Sequence, residues 1–524
     1  MEKQEHRGAA QAHHDTEVDK VAASVRGFHE RGEKFRIFHG STNSTRSTAM
    51  GKDPRKVVDT SALNRVLYVN TDPEDLYALV EPNVPMDRLV EATLEHGLIP
   101  PVVMEFPGIT VGGGYSGTSG ESSSFRHGFF DRTLEEVEMV LANGEVVKCS
   151  QKERADLFHG AAGAVGTMGV TTCVKLRLRK AVKFVETTYW PIAGGMDEAM
   201  AKLRSFTAPD RKDYDYVDGI MFSKSHGAII TGRMTDTPSS NLLIQRFSAA
   251  SDPWFYLHVQ SKTSNLPSTA TEPITEAIPL PDYLFRYDRG GFWVGKAAFD
   301  YTAYFPFNNA TRWFLDDFLH TRMLYTALHG SGQSERMIVQ DLAVPYSSAK
   351  EFVDFTEERT AIWPLWLCPL KQSPGPSMHP HTWRAKDEKG QEGEDMLNIG
   401  LWGLALKPAT HESFVATNRE IEEKLLELGG MKWLYAQTYY TESEFWSQFD
   451  RKWYDDLRAK YHAQGLPNVY DKVKAGGEKA KDWKQKWIDS YWSLSATVGL
   501  WKAIQSRTYV QAREAKWKQW VPRE

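Results

Sequence analysis

The sequence predicts an α+β fold on three observations. Two loops crowded with glycine, serine and threonine are set among short β-prone runs, and a long stretch after residue 182 mixes helical and strand periodicities. A chain of 524 residues also exceeds one ordinary domain, so two or three are expected.

The chain opens with a helical lead, residues 1–29, whose Val18, Val21, Val25 and Phe28 fall on one stripe. Phe35 to Phe38 reads as a short strand and runs into the loop His39 to Arg46. Ser41, Thr42, Asn43, Ser44 and Thr45 offer polar groups there, and Arg46 adds either a charge near a phosphate or a surface salt bridge. Lys56 to Asp59 and Leu76 to Val80 read as strands. Pro85 to His96 reads as a helix, with proline at its start, the i,i+4 pairs Leu89/Thr93 and Val90/Leu94, and Gly97 closing it. Leu98 to Met104 reads as a strand.

The segment Gly108–Gly128 is the most informative, with seven glycines and seven serines or threonines. It cannot build a core. It lets the backbone approach a ligand closely and offers many donors to an anion, so a diphosphate-bearing cofactor is the natural guest and a flexible linker the alternative. Gly112 to Gly117 spells G-x-G-x-x-G, but glycine and serine at this density predict no helix whose N-terminus would hold a pyrophosphate. A nicotinamide-type dinucleotide fold is therefore rejected in favour of a loop that wraps its ligand with amides. Glu135–Ala142 and Glu145–Cys149 read as a hairpin about Asn143-Gly144, with a type I′ turn expected. Asp156–Gly169 is a second small-residue run. Thr172–Arg179 closes the unit as a strand, alternating Val174, Leu176 and Leu178 with Lys175, Arg177 and Arg179.

Strands are expected at Thr187–Pro191, Val217–Phe222, Ala228–Gly232, Trp363–Leu370 and Met396–Trp402, with a helix at Met196–Phe206. Gln372 to Gly393 reads as an exposed loop. His13-His14 and His379-Pro-His381 are read as loop residues rather than metal ligands.

Order and motifs together resemble the flavin-binding domain of the vanillyl-alcohol oxidase / p-cresol methylhydroxylase (PCMH) superfamily, and within it the Δ24-sterol reductase (diminuto-like) family. The motifs are Val80-Glu-Pro82, Thr110-Val-Gly-Gly113, Glu121-Ser-Ser-Ser124 with His127-Gly128, Asp156-Leu-Phe158 and Trp363-Pro-Leu-Trp-Leu-Cys-Pro369. They continue in Leu434-Tyr-Ala436, Glu444-Phe-Trp446, Phe449-Asp450, Leu457-Arg458 and Val469-Tyr-Asp471. The resemblance covers residues 30–475 and ends near Lys474. It implies a two-subdomain, PCMH-type FAD-binding domain at 30–181 and an α+β substrate (cap) domain at 182–430, its sheet over the flavin. A return segment to the flavin site follows at 431–475, then a Trp/Lys-rich helical tail at 476–524.

It further implies that FAD is held by residues 41–46 together with Thr110, Val111, Gly112, Gly113, Gly117, Thr118, Gly120, Glu121, Ser122, Ser123, Ser124, His127, Gly128, Gly166, Gly169 and Val170. Covalent members carry a histidine after the first loop's glycines. Here that stretch is Gly40–Thr45 and His39 precedes it, so attachment is expected to be non-covalent. The implied activity is reduction of an isolated carbon–carbon double bond in a sterol- or terpenoid-like substrate, with NADPH as the reductant. Such a bond needs a general acid near the flavin and a dry apolar slot. Tyr435, Gln437 and Tyr439 are candidates, expected to face one side by strand alternation, as is Glu121, which either donates a proton or fixes its loop. Asp218 and Asp395 are weaker candidates. Two alternatives stay open: an FAD-dependent oxidase, dehydrogenase or double-bond isomerase on a specialised metabolite, and a non-enzymatic flavoprotein.

Composition agrees. Hydrophobic residues at 41% suffice for sizeable cores, and a net charge of −5 argues against nucleic acid. The three cysteines form no disulfide framework or metal spacing. No uncharged apolar run of 18 residues is found, and the polar N-terminus is not a signal peptide, unlike the membrane anchor usual in the resembled family. The expected location is the cytoplasm or the periphery of an intracellular membrane. In the tail, Trp483, Trp487, Tyr491, Leu494, Val498 and Trp501 share a helical face. That face is a candidate for peripheral membrane contact, with packing on the protein's own core or on a second subunit in a homodimer favoured, and Trp517 and Trp520 raise the same question.

Overall fold

The computed structural model describes residues 2–40, 54–264, 272–302, 305–331, 337–381, 394–404, 410–475, 501 and 504–521. The loop residues Ser41 to Arg46 and the tail face from Trp483 to Val498 lie outside them. The architecture is α+β, built on two main sheets.

The helix Glu2–Glu30 buries Val18, Val21, Val25 and Phe28 against Phe35, Val58, Val140 and Leu466. The same stripe carries His14 inward, so His13 and His14 are helical rather than loop residues. His14 is 2% exposed, with Nδ1 2.8 Å from Glu81 Oε1 and Nε2 3.1 Å from Glu138 Oε1. Burial alone would lower its pKa, but the hydrogen bonds to Glu138 and Glu81 win and raise it to about 9.

Strands β1 (Arg36–Phe38) and β2 (Val57–Asp59) pair in parallel. Next come β3 (Val66–Asn70), β4 (Tyr77–Val80), the helix Met86–Leu94 and β5 (Leu98–Ile99). The run expected as a strand to Met104 stops after Ile99, where Pro100-Pro101 removes two N–H donors from the ladder. After β6 (Leu134–Val140), β7 (Val146–Ser150), β8 (Val170–Arg177) and β9 (Arg179–Lys180), the sheet order is β3-β4-β8-β6-β7. Strand β3 escapes the sequence reading because it is an edge strand with only Leu67 buried.

The β6–β7 turn differs from the expected type I′. Gly144 N–H donates to Leu141 O at 2.8 Å, and Gly144 takes φ +85° while Asn143 does not enter positive φ. One left-handed residue after a tight turn is the G1-bulge solution. Arg26 on the N-terminal helix reinforces it, donating to Gly144 O at 3.1 Å.

A larger correction concerns the glycine segment, because Val111–Gly117 is a helix. Thr110 caps it, its Oγ1 accepting from Gly113 N–H at 3.1 Å, and Ser116 Oγ donates to Gly112 O at 2.7 Å. Packing overrides the poor propensity: a Cβ at Gly112 would lie 2.6 Å from Pro82 Cβ, so only glycine lets this helix lie so close.

The second sheet joins β10 (Phe184–Ile192), β11 (Tyr216–Ser223), β12 (His226–Thr235), β13 (Ile274–Pro279), β14 (Met337–Pro345), β15 (Leu365–Leu370), β16 (Met396–Leu404) and β17 (Met431–Lys432). All its pairings are antiparallel, in the order β13-β10-β12-β11-β15-β16-β14-β17. Alternation sorts its faces. Leu365, Leu367, Leu397, Ile399 and Leu401 pack with the helices Gly195–Thr207, Ala349–Thr360 and His411–Glu427. Trp366, Cys368 and Trp402 point the other way, into the core shared with the glycine segment. The stretch before residue 382, expected as an exposed loop, is buried at Ser377, His379 and His381, with His379 Nε2 3.0 Å from Asp131 Oδ1.

Candidate functional site

A cavity of about 1520 Å³ lies where the glycine segment meets the second sheet. One wall is Thr110, Gly112, Gly113, Gly117, Thr118, Gly120 and Glu121, continued by Gly166, Gly169 and Val170 and by His39 at the end of β1. Trp366, Trp402 and Asp341 face it from the second sheet, with Phe106, Phe292 and Tyr325 beside them. The return segment adds Trp433, Tyr435 and Lys472.

Several expected site residues are placed elsewhere. Val111 is in the core. The serines brace the segment from behind: Ser122 Oγ donates to Glu105 Oε1 at 2.6 Å, Ser123 Oγ to Pro101 O at 3.1 Å, and Ser124 Oγ accepts from Glu121 N–H at 2.9 Å. Gly128 ends the helix Ser124–His127 at φ +77°. His127 sits away from the cavity wall, its pKa lowered to about 4 by burial and then by Arg179, Arg126 and Arg177. Residues 433–437 turn instead of running as a strand, so the alternation expected for Tyr435, Gln437 and Tyr439 does not hold. Tyr435 reaches the cavity, whereas Tyr439 packs its ring 6.2 Å from Phe414 and Gln437 accepts from Lys432 Nζ through its carbonyl at 2.6 Å. Asp395 is exposed.

Two acidic clusters border the cavity. In the first, Arg286, 1% exposed, bridges Glu105 Oε1 at 2.9 Å and Asp218 Oδ2 at 3.0 Å. Asp218 also accepts from Tyr287 Oη at 2.7 Å and Trp366 Nε1 at 3.0 Å, so it is a structural anchor rather than an acid on the wall. Burial, only partly offset by Arg286, pushes Glu105 up to about 7, and its Oε2 has no partner. Glu121 is pushed well above the carboxylate range by burial and then by the neighbouring Glu105.

In the second cluster, Asp341 accepts from Tyr435 Oη at 2.9 Å and from Asn398 Nδ2 at 2.9 Å. Burial raises Asp341 to about 6 against these two donors. Burial, then the Asp341 charge, raises Tyr435 well above its ordinary value, so the phenol keeps its proton.

Asp341, Glu105 and Arg286 were not found from the sequence. For Asp341 a signal exists: in Met337–Pro345 it shares parity with Val339 and Ala343, on the face opposite Ile338, Leu342 and Val344. Arg286 lies in no motif.

The residues present fit a flavin dinucleotide. An added Cβ at Gly117 would meet nothing within 4 Å, so the cradle is open there, and Lys472 adds a cation beside Gly166. Pockets for one ligand run about 300–1,000 Å³, so this cavity has room for a cofactor and a second molecule.

Residues 14–150 match the family model of an FAD binding domain. The chain is 29% identical over 474 residues to a Δ24-sterol reductase of Homo sapiens, covering 88% of this chain and 86% of that one. It is 27% identical over 447 residues to a Δ24-sterol reductase of Arabidopsis thaliana, covering 81% and 78%. Over 163 residues, 31% of each chain, it is 28% identical to cytokinin dehydrogenase 9 of Oryza sativa subsp. japonica. Fold and site thus define a flavoprotein, an FAD-dependent oxidoreductase. Within that class, similarity to Δ24-sterol reductases over most of both chains bears out the resemblance read from the motifs. Among the described residues no helix is long and apolar enough to cross a membrane.

Proposed function

We propose that the protein reduces a carbon–carbon double bond of a sterol- or terpenoid-like substrate, with FAD bound non-covalently and NADPH as electron donor. The observation that carries this reading is the cavity itself, large enough for two molecules and lined by both a glycine wall and an aromatic wall. The FAD-binding part is of PCMH type and spans 30–181, the cap spans 182–430, and residues 431–475 return to the flavin. Thr110, Gly112, Gly113, Gly117, Thr118, Gly120, Gly166, Gly169 and Val170 would hold the cofactor. Bound FAD supplies the hydride.

The protein's part is to hold the alkene dry against the packed rings of Trp366, Trp402 and Phe292 and to deliver a proton to its second carbon. Tyr435 holds that proton at Oη, where it rests on Asp341 Oδ2, and delivers it when the O–H turns from Asp341 to the substrate; Asn398 holds Asp341 in place. Glu121 ties the glycine wall to Glu105, whose N–H it accepts at 3.4 Å. A second reading, dehydrogenase or oxidase, draws on the same pair: an ionised Asp341 behind Tyr435 is also a base for a substrate proton.

An anaerobic visible spectrum with added NADPH, then with a Δ24-sterol, separates them. Bleaching by NADPH and recovery of the oxidised band on adding the sterol are expected. A flavin untouched by NADPH but bleached by an organic substrate would replace the reductase with the dehydrogenase, and no flavin after reconstitution with FAD would sink both.

A further inference from the structure

The motifs from which the resemblance to sterol reductases is read run to Asp471, and beyond them Gln505, Ser506 and Gln511 of the strap 504–521 also line the cavity. This strap is firmly fastened. Trp517 is 3% exposed, with its ring 4.9 Å from Phe285 and its backbone N–H donating to Glu91 Oε1 at 3.1 Å. Arg246 Nη2 donates to Lys518 O at 3.2 Å. Its helix Thr508–Arg513 packs on the helix Thr321–Ser331, whose Tyr325 enters the same cavity with its ring 6.2 Å from Phe106. The strap therefore meets the cavity beside the helix that carries Tyr325.

Side-chain amides such as those of Gln505 and Gln511, facing a wholly apolar ligand, would lose their hydrogen bonds to water and gain none, which is costly. A wall that is aromatic on one side and amide-bearing on the other suits an apolar body carrying a polar group. We propose that Gln505, Ser506 and Gln511 are specificity-determining residues that read a hydroxyl on an otherwise apolar, polycyclic or terpenoid substrate. This rests on the reading of the cavity as a reductase site for such molecules. It adds that selectivity among them is set by the C-terminal strap rather than by the segments that carry the shared motifs.

The test uses the full-length, FAD-loaded protein, titrated anaerobically with a Δ24-sterol and with its 3-deoxy counterpart while the flavin spectrum is followed, with KM and kcat measured for both. Wild type is expected to prefer the hydroxylated sterol by about tenfold, the worth of one good hydrogen bond. A Gln505→Ala/Gln511→Ala protein should narrow that ratio to about threefold or less, with the loss in KM and FAD content retained; Gln511→Asn, which keeps an amide, should fall between. An unchanged ratio in the double variant overturns the strap's role while leaving the reductase reading standing. Loss of FAD with sterol binding intact also overturns it, by assigning these residues to the cofactor. Wild type that binds neither sterol overturns the reductase reading and this inference together.

Discussion

Tyr435 and Glu121 both lie on the cavity wall, but their surroundings give them different work. Tyr435 lies on the wall with its O–H held by a carboxylate, so Tyr435→Phe should slow reoxidation of the reduced flavin by alkene by about 10²-fold, the low end for a general acid, with FAD content unchanged. Single-turnover absorbance reads this directly. Glu121 joins two segments of the wall, and Glu121→Ala should lower FAD retention on gel filtration more than it lowers turnover of the flavin-loaded fraction. The reverse pattern would give Glu121 the chemical role instead. His14 supplies a pH signature. Its pKa rises from 6.5 to about 9 on folding, so its proton is bound more tightly in the native state. The stability it contributes is fully present below pH 6.5 and is lost as pH rises through about 9. Replacing it with Gln should flatten the fall of the urea midpoint across that window, and an equal fall in both proteins would remove His14 as the cause.

Elements whose apolar pattern matched their burial were legible: the Val18–Phe28 stripe, the buried run Leu365–Leu370 and the alternation of Val174 and Leu176. Those formed against propensity were not. The helix Val111–Gly117 exists because Pro82, Met104 and Phe130 press on its glycines, and no local scale contains those contacts. Strand β3 is held by its neighbour β4 rather than by a buried face. Between elements, Arg286 ties the glycine segment to β11, and nothing in its local sequence announces that. Its two carboxylate partners are buried, so Arg286→Ala leaves them unpaired and should cost about 3–5 kcal/mol in urea unfolding. A cost near zero would mean that both acids simply take up protons.

Across the whole molecule, the glycine wall could be found from the sequence because its chemistry is concentrated in one segment. The opposite wall could not, because Asp341, Trp366, Trp402 and Gln511 come from separate strands and a distant strap that only the tertiary fold brings together. The strap is a structural part of the whole: Trp517→Ala should lower stability by about 3–5 kcal/mol, read as a thermal shift of the FAD-loaded protein. A shift within error would mark the strap as an appendage. The strap also bears on biosynthesis. Gln511 leaves the ribosome after every other described residue of the cavity wall, so the nascent chain presents an unfinished chamber throughout its synthesis. Flavin that arrives early meets an open vestibule, and flavin that arrives late must pass a chamber already enclosed on that side.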